Sequence, residues 1–197
     1  MLTVYHAPKS RSSRIIWLLE EAGAPYEIRL TNIPRMDGSG GPDPANPHPD
    51  KKVPALVDDG ALVTESAAIC LYVSDEFPQA GIGPVVGDPL RGPYLSWLAY
   101  YAGVIEPVVN FEFAQLSDHP VLRRTFRGRA EMDARIRDAL NRGPYLLGER
   151  FSTADILLAS LGQFARNMLP ADAVVDAYLQ RLAARAAFAR ALQRDDG

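Results

Sequence analysis

Residues 51–66, KKVPALVDDGALVTES, constrain the fold of this chain more than any other stretch. Two short apolar runs, at 54–57 and 61–63, stand on either side of Asp58-Asp59-Gly60. Asp-Gly between apolar runs is a strong hairpin signal, because glycine tolerates the positive φ that such a turn requires. The stretch therefore predicts a β-hairpin, and the polar pair Glu65-Ser66 predicts the start of a helix directly after it.

The segment before the hairpin predicts a strand, a helix and a second strand. Residues 2–6 alternate as a short strand does, and residues 10–22 place apolar side chains at helical spacing up to Gly23, which suits a C-cap. Residues 26–30 are typical of a second strand, so the three elements form a βαβ unit with a parallel pair. Residues 32–52 are rich in proline, glycine, aspartate and asparagine and predict a long irregular loop.

The chain after residue 77 predicts a second domain of a different kind. Residues 78–89 are dense in proline and glycine and are typical of a linker. The pattern from residue 90 onward is helical, which gives domains at 1–77 and 90–197. The predicted helices cover 90–116, with a kink at Pro107, then 119–141 and 171–182. Ser152 and Asp155 form a variant of the capping box ahead of another apolar helix, ILLASLGQF.

Composition excludes several classes of protein. The net charge of −3 gives no reason to expect nucleic-acid or anionic-membrane binding. No apolar run reaches the roughly 18 residues of a membrane span, and the N-terminus does not resemble a signal peptide. The single cysteine, Cys70, forms no internal disulfide and is expected to be a small buried hydrophobe. The histidines and the cysteine show no metal-type spacing, so we expect no metal site. The single cysteine, the N-terminal segment and the short apolar runs together predict a soluble, cytoplasmic protein.

The motifs VPAL, DDG and TESAAI, with an N-terminal strand followed by KSRSSR, resemble the glutathione transferase family. The resemblance covers nearly the whole chain and extends to the capping box at Ser152. It implies an α/β thioredoxin-like domain, βαβ–ββα, followed by an all-α helical-bundle domain. It also implies glutathione as a co-substrate with no other cofactor, a homodimer and a role in detoxification.

The resemblance assigns the glutathione contacts to the hairpin stretch. The Val53–Pro54 bond is cis in the family, although about one X–Pro bond in twenty is cis in general. The backbone of Val53 then pairs with the cysteinyl unit, and Glu65 and Ser66 hold the γ-glutamyl end. Lys52 is the expected partner of the glycyl carboxylate. Lys51 stays an alternative, because the lead-in NPHPDKK lacks the glycine of the family's Asn-Pro-x-Gly-Lys.

The loop KSRSSR supplies the group that meets the glutathione sulfur in the resembled family. Ser10 falls on the position of the cysteine-type and serine-type bacterial enzymes, Ser12 is the second choice and Tyr5 the third. Lowering a thiol pKa of about 8.5 by about two units requires about 2.7 kcal/mol. A hydroxyl donating to the thiolate contributes about 1.5–3 kcal/mol and a helix N-terminus about 0.3–1. A serine before a helix is also a common N-cap, and spacing alone favours that interpretation.

Three aromatic residues are candidates for an apolar co-substrate pocket between the domains, namely Trp97, Tyr100 and Tyr101. Core or interface packing is the commoner role of such residues. His6 is expected to be a partly buried strand residue rather than a catalyst.

The function that these observations favour is a glutathione transferase that adds the glutathione thiolate to a small apolar electrophile. The alternatives are a non-catalytic binding or interaction protein of the same fold and a specialised glutathione-dependent isomerase or lyase. No cysteine stands in the KSRSSR loop, which disfavours thiol–disulfide exchange there.

Overall fold

The computed structural model describes residues 1–196, which form two compact units. The first unit contains Met1–Ile82 together with the chain from Ala184 onward, and the second contains Gly83–Ala183. No helix in the described part of the chain is both long and apolar enough to cross a membrane.

The first unit is built on a four-stranded mixed sheet. Its strands and first two helices are β1 (Leu2–His6), α1 (Ser13–Ala22), β2 (Tyr26–Leu30), β3 (Ala55–Asp58), β4 (Ala61–Thr64) and α2 (Ser66–Glu76). The strand order is β2-β1-β3-β4; β1 and β2 are parallel, and β3 is antiparallel to both of its neighbours. This is the predicted βαβ–ββα thioredoxin-like order.

Local signals in the sequence account for most of these boundaries. Asp59 and Gly60 form the hairpin turn with φ of 43° and 91°, the left-handed pair of a type I′ turn. Gly23 ends α1 with φ of 62°. No regular strand or helix interrupts the predicted loop between β2 and β3.

The second unit is helical. It contains α3 (Arg91–Tyr100), α4 (Glu106–Phe113), α5 (Pro120–Thr125), α6 (Arg129–Leu140), α7 (Thr153–Phe164) and α8 (Ala173–Ala183). The capping box predicted at α7 is present: Asp155 accepts hydrogen bonds from the backbone N–H and the hydroxyl of Ser152 at 2.8 and 3.2 Å.

The last helix, α9 (Ala186–Arg194), belongs to the first unit. The Phe188 ring meets the Trp17 indole of α1 edge to face at 4.7 Å, and the Arg185 guanidinium pairs with both oxygens of Glu21 at 2.6 and 2.8 Å. The predicted domain boundaries assign this segment to the helical domain instead, because a long-range return of the chain leaves no mark on local pattern.

Three helix predictions differ from the structure. The first helix begins at Ser13 rather than residue 10, because residues 8–12 form turns with Lys9 at φ of 56°. The predicted helix over 90–116 is divided into α3 and α4 by a π-helical turn, Tyr101–Ile105, just before Pro107. The predicted helix over 119–141 is divided into α5 and α6, because Gly128 adopts an extended conformation and caps α6.

Candidate functional site

Strand register brings three separate segments to one edge of the sheet. Ala55 pairs with Tyr5 on one side and with Thr64 on the other. The loop after β1, the entrance of β3 and the start of α2 therefore lie next to one another, because each segment continues from this row in the same direction. These segments contain KSRSSR, Val53-Pro54 and Glu65-Ser66, so the fold assembles the predicted site residues.

Val53 presents free backbone groups at this edge. The Val53–Pro54 peptide bond is cis, as the resemblance implies. Within residues 1–196, the N–H and C=O of Val53 make no hydrogen bond. An extended ligand can pair with such groups as an added strand does.

Glu65 and Ser66 stand at the N-terminus of α2 with their side chains unengaged. Glu65 is exposed and Ser66 half-buried, and neither side chain caps the helix. Glu65 has φ of 66° and ψ of 121°, a conformation that L-residues rarely adopt. The carboxylate can accept from an ammonium group, while the hydroxyl and the free N–H groups suit a carboxylate.

The two lysines before Val53 differ in availability. The Lys51 ammonium donates to the Asn46 carbonyl at 2.7 Å, and the residue has φ of 54°. Lys51 thus adopts a left-handed conformation that glycine adopts without strain. Lys52 is exposed, and its side chain has no recorded partner in the described chain. Of the two, Lys52 has the ammonium that is free to meet a ligand.

The first two candidates for the sulfur contact differ sharply in burial. The Ser12 side chain is fully buried, and its hydroxyl oxygen lies 2.8 Å from His6 Nδ1 and accepts from Ala7 N–H at 3.1 Å. Ser10 is half-buried, and its oxygen lies 2.8 Å from that of Ser12. Ser10 is therefore the serine of this pair that a ligand can reach.

Tyr5, the third candidate, lies on β1. Its hydroxyl accepts a hydrogen bond from the Arg29 guanidinium at 3.4 Å. Because side chains alternate along a strand, Tyr5 projects from the sheet face opposite to His6 and its partner Ser12.

His6, which the sequence predicted to be only partly buried, lies directly behind the serines. His6 is fully buried, and its Nε2 lies 2.7 Å from the backbone oxygen of Asp195. The Asp195 carboxylate accepts from Lys9 N–H at 3.0 Å. Only a weak sequence signal points to this cluster: a histidine on a predicted strand, six residues before a serine.

The predicted pocket aromatics belong to the second unit. Trp97, Tyr100 and Tyr101 are all buried, and the Arg135 guanidinium lies 4.9 Å from the Trp97 ring and 3.8 Å from the Tyr100 ring. Trp97 also lines a groove of about 640 Å³ within this unit. Burial raises the pKa of the Tyr100 phenol, which the positive charge of Arg135 opposes. These aromatics pack within the helical unit, and a role in electrophile binding stays a prediction.

Two other sequence expectations concern cysteine and metal. Cys70 is fully buried in α2. Among residues 1–196, no group of three or more histidine, cysteine, aspartate and glutamate side chains is arranged to hold a metal ion.

The fold and the site define a class of protein that has a thioredoxin-like domain with polar groups beside a cis-proline, and a helical unit later in the chain. Residues 1–75 match the family model for the glutathione S-transferase N-terminal domain. Glutathione S-transferase GstA of Escherichia coli O157:H7 is 26% identical over 190 residues, covering 93% of this chain and 94% of that protein. Glutathione S-transferase 3 of Schizosaccharomyces pombe is 45% identical over 69 residues, which cover 35% of this chain and only 28% of that protein.

Solved structures agree with the sequence comparisons. A sphingomonad glutathione S-transferase complexed with glutathione is 26% identical, with a TM-score of 0.78 and coverage of 98% of both chains. Residues 1–75 therefore form a glutathione S-transferase N-terminal domain, and the chain as a whole has the fold of a solved glutathione S-transferase. These findings support the predicted resemblance and confirm the predicted fold class.

Proposed function

We propose that this protein is a glutathione transferase that binds glutathione at the described sheet edge and adds its thiolate to a small apolar electrophile. One observation carries the proposal. Strand register places three unengaged elements, namely the Val53 backbone, the Glu65 carboxylate and the Ser66 hydroxyl with the α2 N-terminus, beside the half-buried Ser10 hydroxyl of the loop after β1.

These groups match glutathione along its length. The Val53 N–H and C=O pair with the cysteinyl backbone, and Glu65 accepts from the γ-glutamyl ammonium. Ser66 and the α2 N–H groups bind the γ-glutamyl carboxylate, and Lys52 meets the glycyl carboxylate. Each polar end of the tripeptide then has a charge-assisted hydrogen bond, which is the stronger kind.

Ser10 acts on the sulfur. Its hydroxyl donates a hydrogen bond to the thiolate and thereby favours the charged form at neutral pH. The thiolate then attacks an electrophilic carbon: an S–C bond forms, and a leaving group departs with its electron pair. Where the electrophile is an epoxide, the ring oxygen takes the electron pair and then a proton.

The first test is binding of reduced glutathione, measured by calorimetry on the wild type and on Glu65→Ala. We expect micromolar-to-millimolar binding in the wild type and its loss in the variant. A wild type that does not bind glutathione contradicts the proposal. It would favour the non-catalytic alternative, a binding or interaction protein of this fold.

Replacement of Ser10 tests the thiolate role. Ser10→Ala removes one hydrogen bond to a charged group, so turnover is expected to fall about tenfold to hundredfold while glutathione affinity changes little. The matched control is Ser96→Ala, which removes an exposed hydroxyl from α3. Unchanged turnover in Ser10→Ala contradicts the assigned role.

A panel of aryl halides, epoxides, peroxides and unsaturated acids separates conjugation from isomerase or lyase chemistry. The homodimer, the cytoplasmic location and the detoxification role also belong to this proposal. The homodimer and the detoxification role follow from the family resemblance, and the location follows from the single cysteine and the character of the N-terminal segment. Light scattering that gives a monomer at micromolar concentration contradicts the homodimer.

A further inference from the structure

A buried chain of hydrogen bonds leads away from Ser10 into the first unit. The Ser10 and Ser12 oxygens are 2.8 Å apart, and Ser12 Oγ is 2.8 Å from His6 Nδ1. On its other side the imidazole reaches Asp195, with Nε2 2.7 Å from the backbone oxygen and 3.6 Å from the carboxylate oxygen Oδ1. Ser12 and His6 are both fully buried, so the path is closed to solvent along its middle.

The chemistry of each atom sets the direction of the bonds in this chain. The Asp195 carbonyl can only accept, so His6 Nε2 carries a proton. In neutral His6, Nδ1 is then an acceptor, and the Ser12 hydroxyl donates a hydrogen bond to it. Ser12 then accepts from Ala7 N–H at 3.1 Å and from the Ser10 hydroxyl, and the longer 3.3 Å contact of its hydroxyl with the Ala7 carbonyl is the weaker alternative to His6.

This direction has a consequence for the thiol. With neutral His6, the Ser10 proton is directed inward to Ser12, and Ser10 faces a ligand as an acceptor. In that state Ser10 can accept the S–H of glutathione, whereas donation to a thiolate breaks its hydrogen bond to Ser12. A proton on His6 Nδ1 allows the chain to reverse, so that Ser12 donates to Ser10 while Ser10 donates to the thiolate.

We propose that His6 takes up the glutathione thiol proton through Ser10 and Ser12, and so turns Ser10 into the donor that stabilises the thiolate. This inference rests on the proposed function. His6 acts through two serines and is a positioning residue rather than a catalytic one.

The transfer balances without any further reactant. The S–H bond breaks, and its proton joins Ser10 Oγ. The former Ser10 proton moves to Ser12 Oγ, and the former Ser12 proton forms a new N–H bond at His6 Nδ1. The products are a thiolate that accepts from Ser10 and an imidazolium that donates to Ser12 and to Asp195.

One carboxylate lies beside the His6 ring. The Asp195 carboxylate is the recorded ion-pair partner of the ring in the described chain, and its Oδ1 is buried with no hydrogen-bond partner there. Charged side chains on the elements packed around β1 are Arg14, Glu20 and Glu21 on α1, Glu27 and Arg29 on β2, Asp58 on β3, and Arg190 and Arg194 on α9. Arg29 contacts Tyr5, while Arg190 and Arg194 pair with Glu20. Asp195 is therefore the counter-charge nearest to the ring.

The direct test is nuclear magnetic resonance of the histidine side-chain nitrogens in the wild-type protein. Free protein is expected to show His6 neutral with the proton on Nε2, and reduced glutathione is expected to produce the imidazolium signature. S-methylglutathione, which has no thiol proton, is expected to bind and leave His6 neutral. Glutathione that binds while His6 stays neutral overturns the inference and leaves the proposed function standing.

A variant supplies the second readout, the ultraviolet absorbance of bound thiolate against pH. His6→Gln keeps an amide that can donate but takes up no proton. It is expected to bind glutathione normally with about tenfold less thiolate near neutral pH, the size of one hydrogen bond to a charged group. His119→Gln, which changes an exposed histidine of the second unit, is the control. A wild-type thiolate titration in His6→Gln overturns the inference; absence of glutathione binding in the wild type overturns both proposals.

Discussion

Unusual backbone conformations concentrate at the proposed glutathione site. Three non-glycine residues with positive φ stand there: Lys9 in the serine loop, Lys51 before Val53 and Glu65 at the start of α2. Such conformations cost about 1–3 kcal/mol each and are retained where surrounding structure or function requires them. At the scale of single residues, the site is thus held in place at a cost in stability.

Substitution of Glu65 separates stability from binding. Both Glu65→Ala and Glu65→Gly are expected to lose glutathione affinity, because both remove the carboxylate. Glu65→Gly is expected to be more stable than Glu65→Ala by about 1 kcal/mol, since glycine adopts φ of 66° without a Cβ penalty. Urea unfolding measures the difference. A less stable glycine variant contradicts the view that Glu65 is strained.

Element boundaries follow local chemistry where one residue dictates a turn or a cap. The hairpin, the end of α1 and the start of α7 were predicted from such signals, and the structure contains all three. The break between α5 and α6 was missed because residues 119–141 keep a charged amphipathic pattern through Gly128. Glycine inside a helical pattern is tolerated often enough that its cap role shows only in the structure.

The cap of α7 gives a prediction about pH. Asp155 is fully buried, and burial raises its carboxyl pKa from 3.8 to about 6, against the hydrogen bonds from Leu146, Ser152 and Tyr178. Between these values the unfolded chain has lost the proton that the folded chain keeps. The Asp155 contribution to the free energy of unfolding is therefore full below about pH 4 and falls as pH rises through about 6, by about 3 kcal/mol in all.

Asp155→Asn is the reference for this effect, because its side chain does not titrate. The wild-type free energy of unfolding minus that of the variant is expected to decrease from pH 4 to pH 7. Chemical denaturation at a series of pH values measures it. A difference that rises across this range contradicts the raised pKa.

At the scale of the whole molecule, the C-terminal segment packs against the N-terminal unit. The last helix joins the first unit through Phe188 on Trp17, the Arg185–Glu21 ion pair and the contact between Asp195 and His6. The N-terminal unit therefore depends on residues at the far end of the sequence. The two tryptophans, Trp17 and Trp97, belong one to each unit, so each unit carries its own fluorescence probe.

Loss of the Phe188 ring is expected to destabilise the first unit. Phe188→Ala removes a half-buried aromatic contact and should lower the free energy of unfolding reported by Trp17 by about 2 kcal/mol. Phe164→Ala is the matched control, because that ring is 70% exposed and its loss should change stability by less than about 0.5 kcal/mol. Equal effects of the two substitutions contradict a structural role for α9.

The sequence by itself determined the strands, the hairpin and several helix ends of this protein, together with the residues of its proposed glutathione site. The turn at Gly60, the cap at Ser152 and the order of strands and helices depend on interactions between residues close along the chain, and such interactions leave a pattern. Only the tertiary structure decided that Ser12 is buried, that Lys51 is engaged, and that His6 meets Asp195. That last contact joins residues separated by 189 positions. It exists because α9 packs on α1, and no local pattern encodes which distant helix a buried strand residue will meet.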